Sequence, residues 1–301
     1  MNLGQVGIWT FALDLHPSTH AQETAAELES LGYSAIWVPE ALGREALTNA
    51  ALLLAATKRT IIASGIASIW ARDPMAAASG QKTLCEAYDN RFLLGLGVSH
   101  GPMAGMRGHT YEKPLSFMRR YLEQMDVSPF LAPLPSRPTR RVLAALAPKM
   151  LELAKERAHG SHTYFVPPEH TAYARKILGP KPILAVEQAV VIETDPQLAR
   201  AVARQHMSTY LNLPNYVNNL IRLGFKEEDA ANGGSNRLVD AIVAWGDVAA
   251  IEARVRAHQA AGASHVCIQV IDPDPRVLPL WQWRELAPAL VRTSGDDAGS
   301  T

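Results

Sequence analysis

Short apolar, β-branched runs alternate with longer helical stretches along most of the chain, and that alternation confines it to the α/β class. Strands are expected at residues 6–9, 33–38, 60–69, 92–98, 141–146, 162–166, 183–192 and 265–270. Helices are expected between them. Thr19-His20-Ala21-Gln22 has capping-box spacing, Ala21, Ala25 and Leu28 then share one helical face, and Gly32 ends the stretch. Asp73-Pro74 and Asp195-Pro196 each set a capping carboxylate before a proline suited to the first helical position. Further helices are expected at residues 47–57, 111–125, 148–158 and 169–178, and Asp247 heads another that aligns Val248, Ile251 and Val255 before Gly262 closes it. With a helix at 283–291 over the last strand, the chain has eight strand-then-helix units, the number that closes a (β/α)8 TIM barrel. Leu31-Gly32-Tyr33-Ser34-Ala35-Ile36 and Ala261-Gly262-Ala263-Ser264-His265-Val266 resemble each other, as expected when one helix-to-strand turn is reused. A doubly wound open sheet alternates in the same way, but no glycine-rich dinucleotide fingerprint follows the first strand. One domain is expected over residues 1–292. It carries a partly helical insertion around 205–236, a proline-rich linker at 129–138, and a disordered tail at 293–301.

Composition narrows the partners. The 301 residues carry 29 basic against 29 acidic side chains, so no charge excess draws the chain to nucleic acid or anionic lipid. Hydrophobic residues make up 48% and charged residues 19%, enough apolar material for a large core and too little charge for disorder. The longest purely apolar run, residues 50–56, is far short of the roughly 20 residues of a membrane span. The first ten residues lack a basic, then apolar, export pattern, so a cytoplasmic protein is expected. Cys85 and Cys267 offer no metal clip or disulfide framework and read as small buried hydrophobes. No Cys-x-x-Cys arrangement is present, and no metal is expected.

In such a barrel the chemistry sits where strands end. Trp9, Trp37 and Trp70 close the first three strands, either as lids on the core or as walls for a flat ring. Glu40, after the second strand, is a candidate proton-transfer carboxylate or a helix cap. The segment from Gly95 to Gly101 places glycines where backbone approaches something closely, and His100 within it is a candidate ligand contact or a loop hydrogen-bonder. Ala147, Pro148, Lys149 and Met150 open a helix whose free amides suit an anion, with Lys149 as a neutralising charge or a solvated one. Glu187 and Gln188 interrupt an apolar strand, so one of them must face inward and find partners.

The segments GIASIWARDPMAAA, NRFLLGLGVSHG, YEKPLSFMRRYLEQMD, YFVPPEHTAYARKILGP and GASHVCIQV together resemble the luciferase-like monooxygenase superfamily, above all its actinobacterial members that use the deazaflavin coenzyme F420. The resemblance covers nearly the whole chain and implies a (β/α)8 barrel with insertions. It places Ser68, Ile69 and Trp70 at the family's bulge behind the ring, which often contains a non-prolyl cis peptide. Gly97, Val98, Ser99 and His100 fall beside the ring and its side chain, and Ala147 to Met150 at the phosphate. Some relatives have a histidine after the second strand and a glutamate after the fourth; this chain has Glu40 and Ser99 there. The activity implied is hydride exchange between F420 and a small organic substrate, with Glu40 and His100 as candidate catalytic residues. An FMN-dependent two-component monooxygenase and a catalytically inactive flavin-binding paralogue are the alternatives. The family also implies a homodimer, for which residues 50–56 and 76–78 supply apolar helical surface.

Overall fold

In the computed structural model, which describes residues 1–291, eight parallel strands close on themselves. The expected tail at 293–301 lies outside the described residues. In order around the barrel come β1 (Val6–Trp9), β2 (Ala35–Val38), β3 (Ile61–Ser64), β5 (Phe92–Gly97), β6 (Arg140–Ala144), β7 (Gly160–Thr163), β8 (Ile183–Ile192) and β10 (His265–Val270). β10 pairs with both β8 and β1, which closes the ring. Two short strands stand off it: β4 (Ala67–Ser68) pairs with β5, and β9 (Ala244–Gly246) pairs with the end of β8.

Every strand buries both faces, as a barrel wall inside a jacket of helices requires. Ile8, Ile36, Ile62, Leu94, Leu143, Val186 and Ile268 pack outward against helices, whereas Trp9, Trp37, Ala63, Leu93, Val142, Ala185 and Cys267 fill the interior. Large and small side chains complement each other there: Trp37 pairs in register with Ala63, and a Cβ at Gly7 would lie 2.8 Å from His265 Nε2. Trp37, fully buried, stacks on His162 at 4.5 Å and donates to His265 Nε2 at 3.1 Å. Burial lowers both histidines, His162 to about 3 and His265 to about 4, so this stack is neutral.

The jacket consists of α1 (Ser18–Ser30), α2 (Ala46–Ala56), α3 (Pro74–Ala87), α5 (Pro114–Val127), α6 (Pro148–Arg157), α7 (Pro168–Leu178), α11 (Val248–Ala260) and α12 (Leu280–Leu290). The short α4 (Gly101–Met106) follows β5. Asp73 and Asp247 cap α3 and α11 through the N–H groups of Ala76 and Ala250, and Asp195 caps α8 (Pro196–Leu211) through those of Gln197 and Leu198. The repeated helix-to-strand junction is real: Gly32 and Gly262 both have positive φ, and Ser34 and Ser264 each bond a neighbouring strand start. Both cysteines are buried and free.

Several expectations change. The capping box at Thr19 does not form; α1 starts at Ser18 after Pro17, and Gln22 donates to Leu52 O on α2 instead. The expected strand over 60–69 breaks into β3 and β4 around a cis peptide at Gly65–Ile66, so the cis bond lies ahead of Ser68, Ile69 and Trp70. At this break β5 comes very close. Ser64 Oγ donates to Gly95 O and accepts from Gly95 N, and a Cβ on Gly95 would lie 2.0 Å from Ser64 O. The insertion is wider than 205–236. It comprises α8, α9 (Pro214–Arg222), a 3-10 turn (Glu227–Gly233), α10 (Asn236–Ile242) and β9, all between the seventh barrel strand and its covering helix α11. It builds its own apolar cluster from Ala199, Ala203, Met207, Tyr216, Leu220, Leu238 and Ile242, and leans this on Ala189 and Val191 of β8.

Candidate active site at the barrel mouth

The three tryptophans do not share one wall. Trp37 belongs to the barrel interior described above. Trp70 lies outside the ring of strands, stacked on Phe117 of α5 at 4.3 Å, and its Nε1 donates to Val98 O at 2.7 Å. Trp9, in register with Trp37 on the adjacent strand, lines the interior with its ring 4.9 Å from Tyr164 and 4.8 Å from Phe11 and its Nε1 buried without a partner. Parity along each strand decides this: Trp9 and Trp37 point inward, whereas Trp70 follows the β3–β4 break and turns out toward α5.

Glu40 is a structural hub. Its Oε1 accepts from Ala46 N at 3.1 Å, its Oε2 from Ser68 N at 2.7 Å, and Arg72 pairs with Oε1. Its own N–H donates to Ile66 O. One carboxylate thereby ties together the end of β2, the bulge, the start of α2 and the approach to α3. Both Glu40 and Arg72 are buried in that pair, and Glu45 gives Arg72 a second anion at 2.6 Å.

The loop beyond β5 is also anchored. Ser99 takes a left-handed conformation (φ 52°), Tyr111 Oη donates to Ser99 O at 3.3 Å, and Trp70 holds Val98 O. Gly97 packs against the Ile66 side chain at 2.5 Å from where a Cβ would stand, so bulge and loop interlock, while the space beside Gly101 is open apart from Tyr111 at 3.9 Å. His100 leads into α4 and faces the insertion: its ring lies 5.6 Å from Tyr216, and burial lowers its pKa against a hydrogen bond with Asn215. Across the mouth, Ala147 precedes α6 without any side-chain cap, Pro148 holds the first helical position, and Lys149 is exposed. Pro148 has no N–H and Ala147 O accepts from Met150 N and Leu151 N, both at 3.1 Å, so the first turn of α6 offers an anionic group the Lys149 N–H and the Lys149 side chain.

Sequence reasoning raised Glu187 without giving it a role. In the barrel it is the member of its pair that faces inward, in register with Cys267, while Gln188 faces out and bonds His258 of α11 at 2.8 Å. Glu187 Oε2 accepts from Phe165 N at 3.0 Å and Oε1 has no partner. Burial pushes this carboxyl up to about 8, opposed only by the Phe165 N–H. Around it gather Tyr164 from the end of β7 and, from the insertion, Tyr210 and Tyr216, whose rings contact Phe165 at 5.1 and 5.4 Å. Tyr164 donates to Gln269 Oε1 at 2.8 Å and so accepts from the Tyr210 hydroxyl at 2.6 Å. The mouth is thus an aromatic chamber roofed by the insertion. A polar cleft among Gln81, Asp126, Thr139, Arg141, Arg157 and His159 opens at the opposite, N-terminal end of the barrel and touches none of these residues.

The features of the mouth match those a flavin-like group requires: a bulge and a glycine-bearing loop that interlock, an uncapped helix start with a lysine, and buried polar atoms without partners. Among the described residues no cluster of His, Cys, Asp and Glu is arranged to hold a metal ion, and no helix is long and apolar enough to cross a membrane.

Comparison with known proteins gives the same picture. The family model for luciferase-like monooxygenases matches residues 5–265. A 126-residue stretch, 41% of the chain, is 35% identical to the "Putative coenzyme F420-dependent oxidoreductase" of Mycobacterium tuberculosis and spans about a third (35%) of that relative's length. Among solved structures, an F420-dependent secondary alcohol dehydrogenase in complex with an F420–acetone adduct superposes with a TM-score of 0.71 at 18% identity, over 97% of this chain and 100% of the other. The oxygenating constituent of 3,6-diketocamphane monooxygenase from Pseudomonas putida, in complex with FMN, superposes with a TM-score of 0.70 at 15% identity, over 95% of this chain and 98% of the other.

Proposed function

The chain belongs to the luciferase-like monooxygenase family of enzymes, and from that premise we propose that it exchanges a hydride between coenzyme F420 and a small organic substrate at the barrel mouth. The choice of coenzyme is carried by the 35% identity to the mycobacterial F420-dependent relative. FMN is the second reading, because an FMN-bound monooxygenase shares the fold. The coenzyme would supply two-electron hydride chemistry, and the protein's part is to bind, orient and exclude water.

Each residue has a part in that division. Ser68 and Ile69, with the turn at Gly65–Ile66, back the ring, Trp70 acts from behind by holding Val98 O, and Gly97, Val98 and Ser99 line the ring's edge. Ala147, Pro148, Lys149 and Met150 form the helix start that receives the phosphate, with Lys149 supplying both an N–H and a cation. Trp9 walls the interior side of the chamber. His100 links the β5 loop to the insertion that covers the mouth. Glu40 fixes the bulge through Ser68 N and Ile66 O, so it acts on the ring's support and not as a free acid.

Separate titrations of the purified protein with F420 and FMN, followed by tryptophan fluorescence, test the reading. Tighter binding of F420 is expected; tighter binding of FMN reverses the choice. Binding of either without any substrate-dependent absorbance change, across carbonyls, imines and activated alkenes, indicates a catalytically inactive paralogue. We also propose a homodimer through the outer faces of α2 and α3, where Leu52, Ala55, Met75 and Ala76 are not buried. Sedimentation at micromolar concentration is expected to give twice the 32.7 kDa chain mass, and a monomer mass removes the idea.

A further inference from the structure

Glu187 is 2% exposed, lies on the inner face of β8, and has one oxygen without a partner. The ionisable groups whose fields meet it are Tyr164 from β7, Tyr210 from α8, Tyr216 from α9 and Cys267 from β10, all neutral at pH 7. No basic side chain acts on it. An ionised carboxylate at this place would have one N–H and no countercharge, so the carboxyl keeps its proton at neutral pH. That proton has no acceptor on the protein. Trp9 Nε1 is a second unpartnered donor on the inner face, beside Gly65 at the β3–β4 break. Buried donors without acceptors are costly and call for an explanation, and a ligand atom that accepts supplies one. The cover on the mouth side is Tyr210 and Tyr216, and Tyr216 is held by ring contacts to Tyr164, Phe165 and Tyr210.

We propose that Glu187 is the proton-carrying residue of this site and that the substrate is a neutral ketone or aldehyde whose oxygen takes the Glu187 proton. The proposal rests on the deazaflavin reading above. An alkene offers no acceptor for the carboxyl proton, and a phosphate or carboxylate substrate would meet no cation beside it. In the reducing direction the carbonyl carbon gains a hydride from the reduced coenzyme, forming a C–H bond, and the π pair of C=O moves onto oxygen. The oxygen takes the proton from Glu187 Oε1, forming the O–H of an alcohol. The substrate is reduced by two electrons and the coenzyme oxidised by two. Glu187 would recover its proton from solvent, matching the one ring N–H proton that a reduced deazaflavin gives up beyond its hydride, so protons balance.

Infrared difference spectroscopy on the wild type and Glu187→Gln tests this without relying on turnover. A protonated-carboxyl band at pH 7, missing from the variant and lost from the wild type when the pH is raised to 9.5, is expected. With F420 bound, saturating cyclohexanone should shift that band as its O–H gains an acceptor. The variant should bind F420 within twofold of wild type and reduce cyclohexanone at least about 100-fold more slowly at similar KM. Absence of the band at pH 7, a band unmoved by the ketone, or a variant of undiminished turnover overturns the proposal. A wild type that shows the band and fails to bind F420 overturns the deazaflavin reading instead, so the two failures are distinguishable.

Discussion

Glu187→Gln should make the folded protein more stable relative to wild type as pH rises, an unusual sign for the loss of a buried polar group. Burial raises the wild-type carboxyl from 4.5 to about 8. Below pH about 4.5 both folded and unfolded chains hold the proton, and the group's contribution is fully present. Between 4.5 and 8 the unfolded chain ionises while the folded one cannot, so wild-type stability falls by about 1.4 kcal/mol per pH unit. Above 8 the folded chain ionises too and the fall ends. Over the whole interval the loss amounts to about 5 kcal/mol, and the glutamine variant escapes it. The amide keeps the bond from Phe165 N and leaves an NH2 without a partner where the carboxyl left an O–H, so packing and hydrogen bonding add only a pH-independent offset. The neutral histidines His162 and His265 titrate identically in both proteins and cancel. Denaturant unfolding followed by tryptophan fluorescence at pH 5, 6.5, 8 and 9 measures the difference. A stability gap that widens toward the variant from pH 5 to 8 and then levels is expected. Parallel curves would mean that the carboxyl is ionised and solvated in the folded state, and the reasoning fails.

Arg72→Met strips the buried Glu40 of its countercharge and should cost about 3–5 kcal/mol in denaturant unfolding at pH 7; a loss under about 1 kcal/mol would mean that water reaches Glu40. Lys149→Ala should weaken F420 binding by about 1 kcal/mol while leaving a phosphate-free fragment and the stability of the free protein unchanged, and equal losses for both ligands place the phosphate elsewhere. Burial alone would raise Glu29, but the N–H groups of Thr60, Arg59 and Lys58 outweigh it and hold the carboxyl at about 2. Its contribution is therefore present above pH 4.5 and lost as pH falls through 2, so Glu29→Gln should lower the thermal midpoint at pH 7 by an amount that shrinks toward zero as pH falls through 2.

What the sequence determined is whatever depends on near neighbours along the chain. The alternation of strand and helix, the Asp73, Asp195 and Asp247 caps and the glycine turns at 32 and 262 are legible because capping and positive φ act within a few residues. The segments at 97–100 and 147–150 also sit at the mouth as expected, since strand ends in a closed barrel share one face. Side-chain parity was not legible. A strand buried on both faces reads as one apolar run, so nothing local says that Glu187 faces in and Gln188 out, or that Trp9 lines the chamber while Trp70 packs against α5. Closure and register decide that. Residues 60–69 likewise read as one strand, and the break at Gly65–Ile66 accompanies the close approach of Gly95 from a strand some thirty residues further along. Glu40 could not be placed for the same reason: its partners Ser68 and Arg72 reach it only when the second and third strands stand side by side, and that contact turns a candidate acid into the clamp of the bulge.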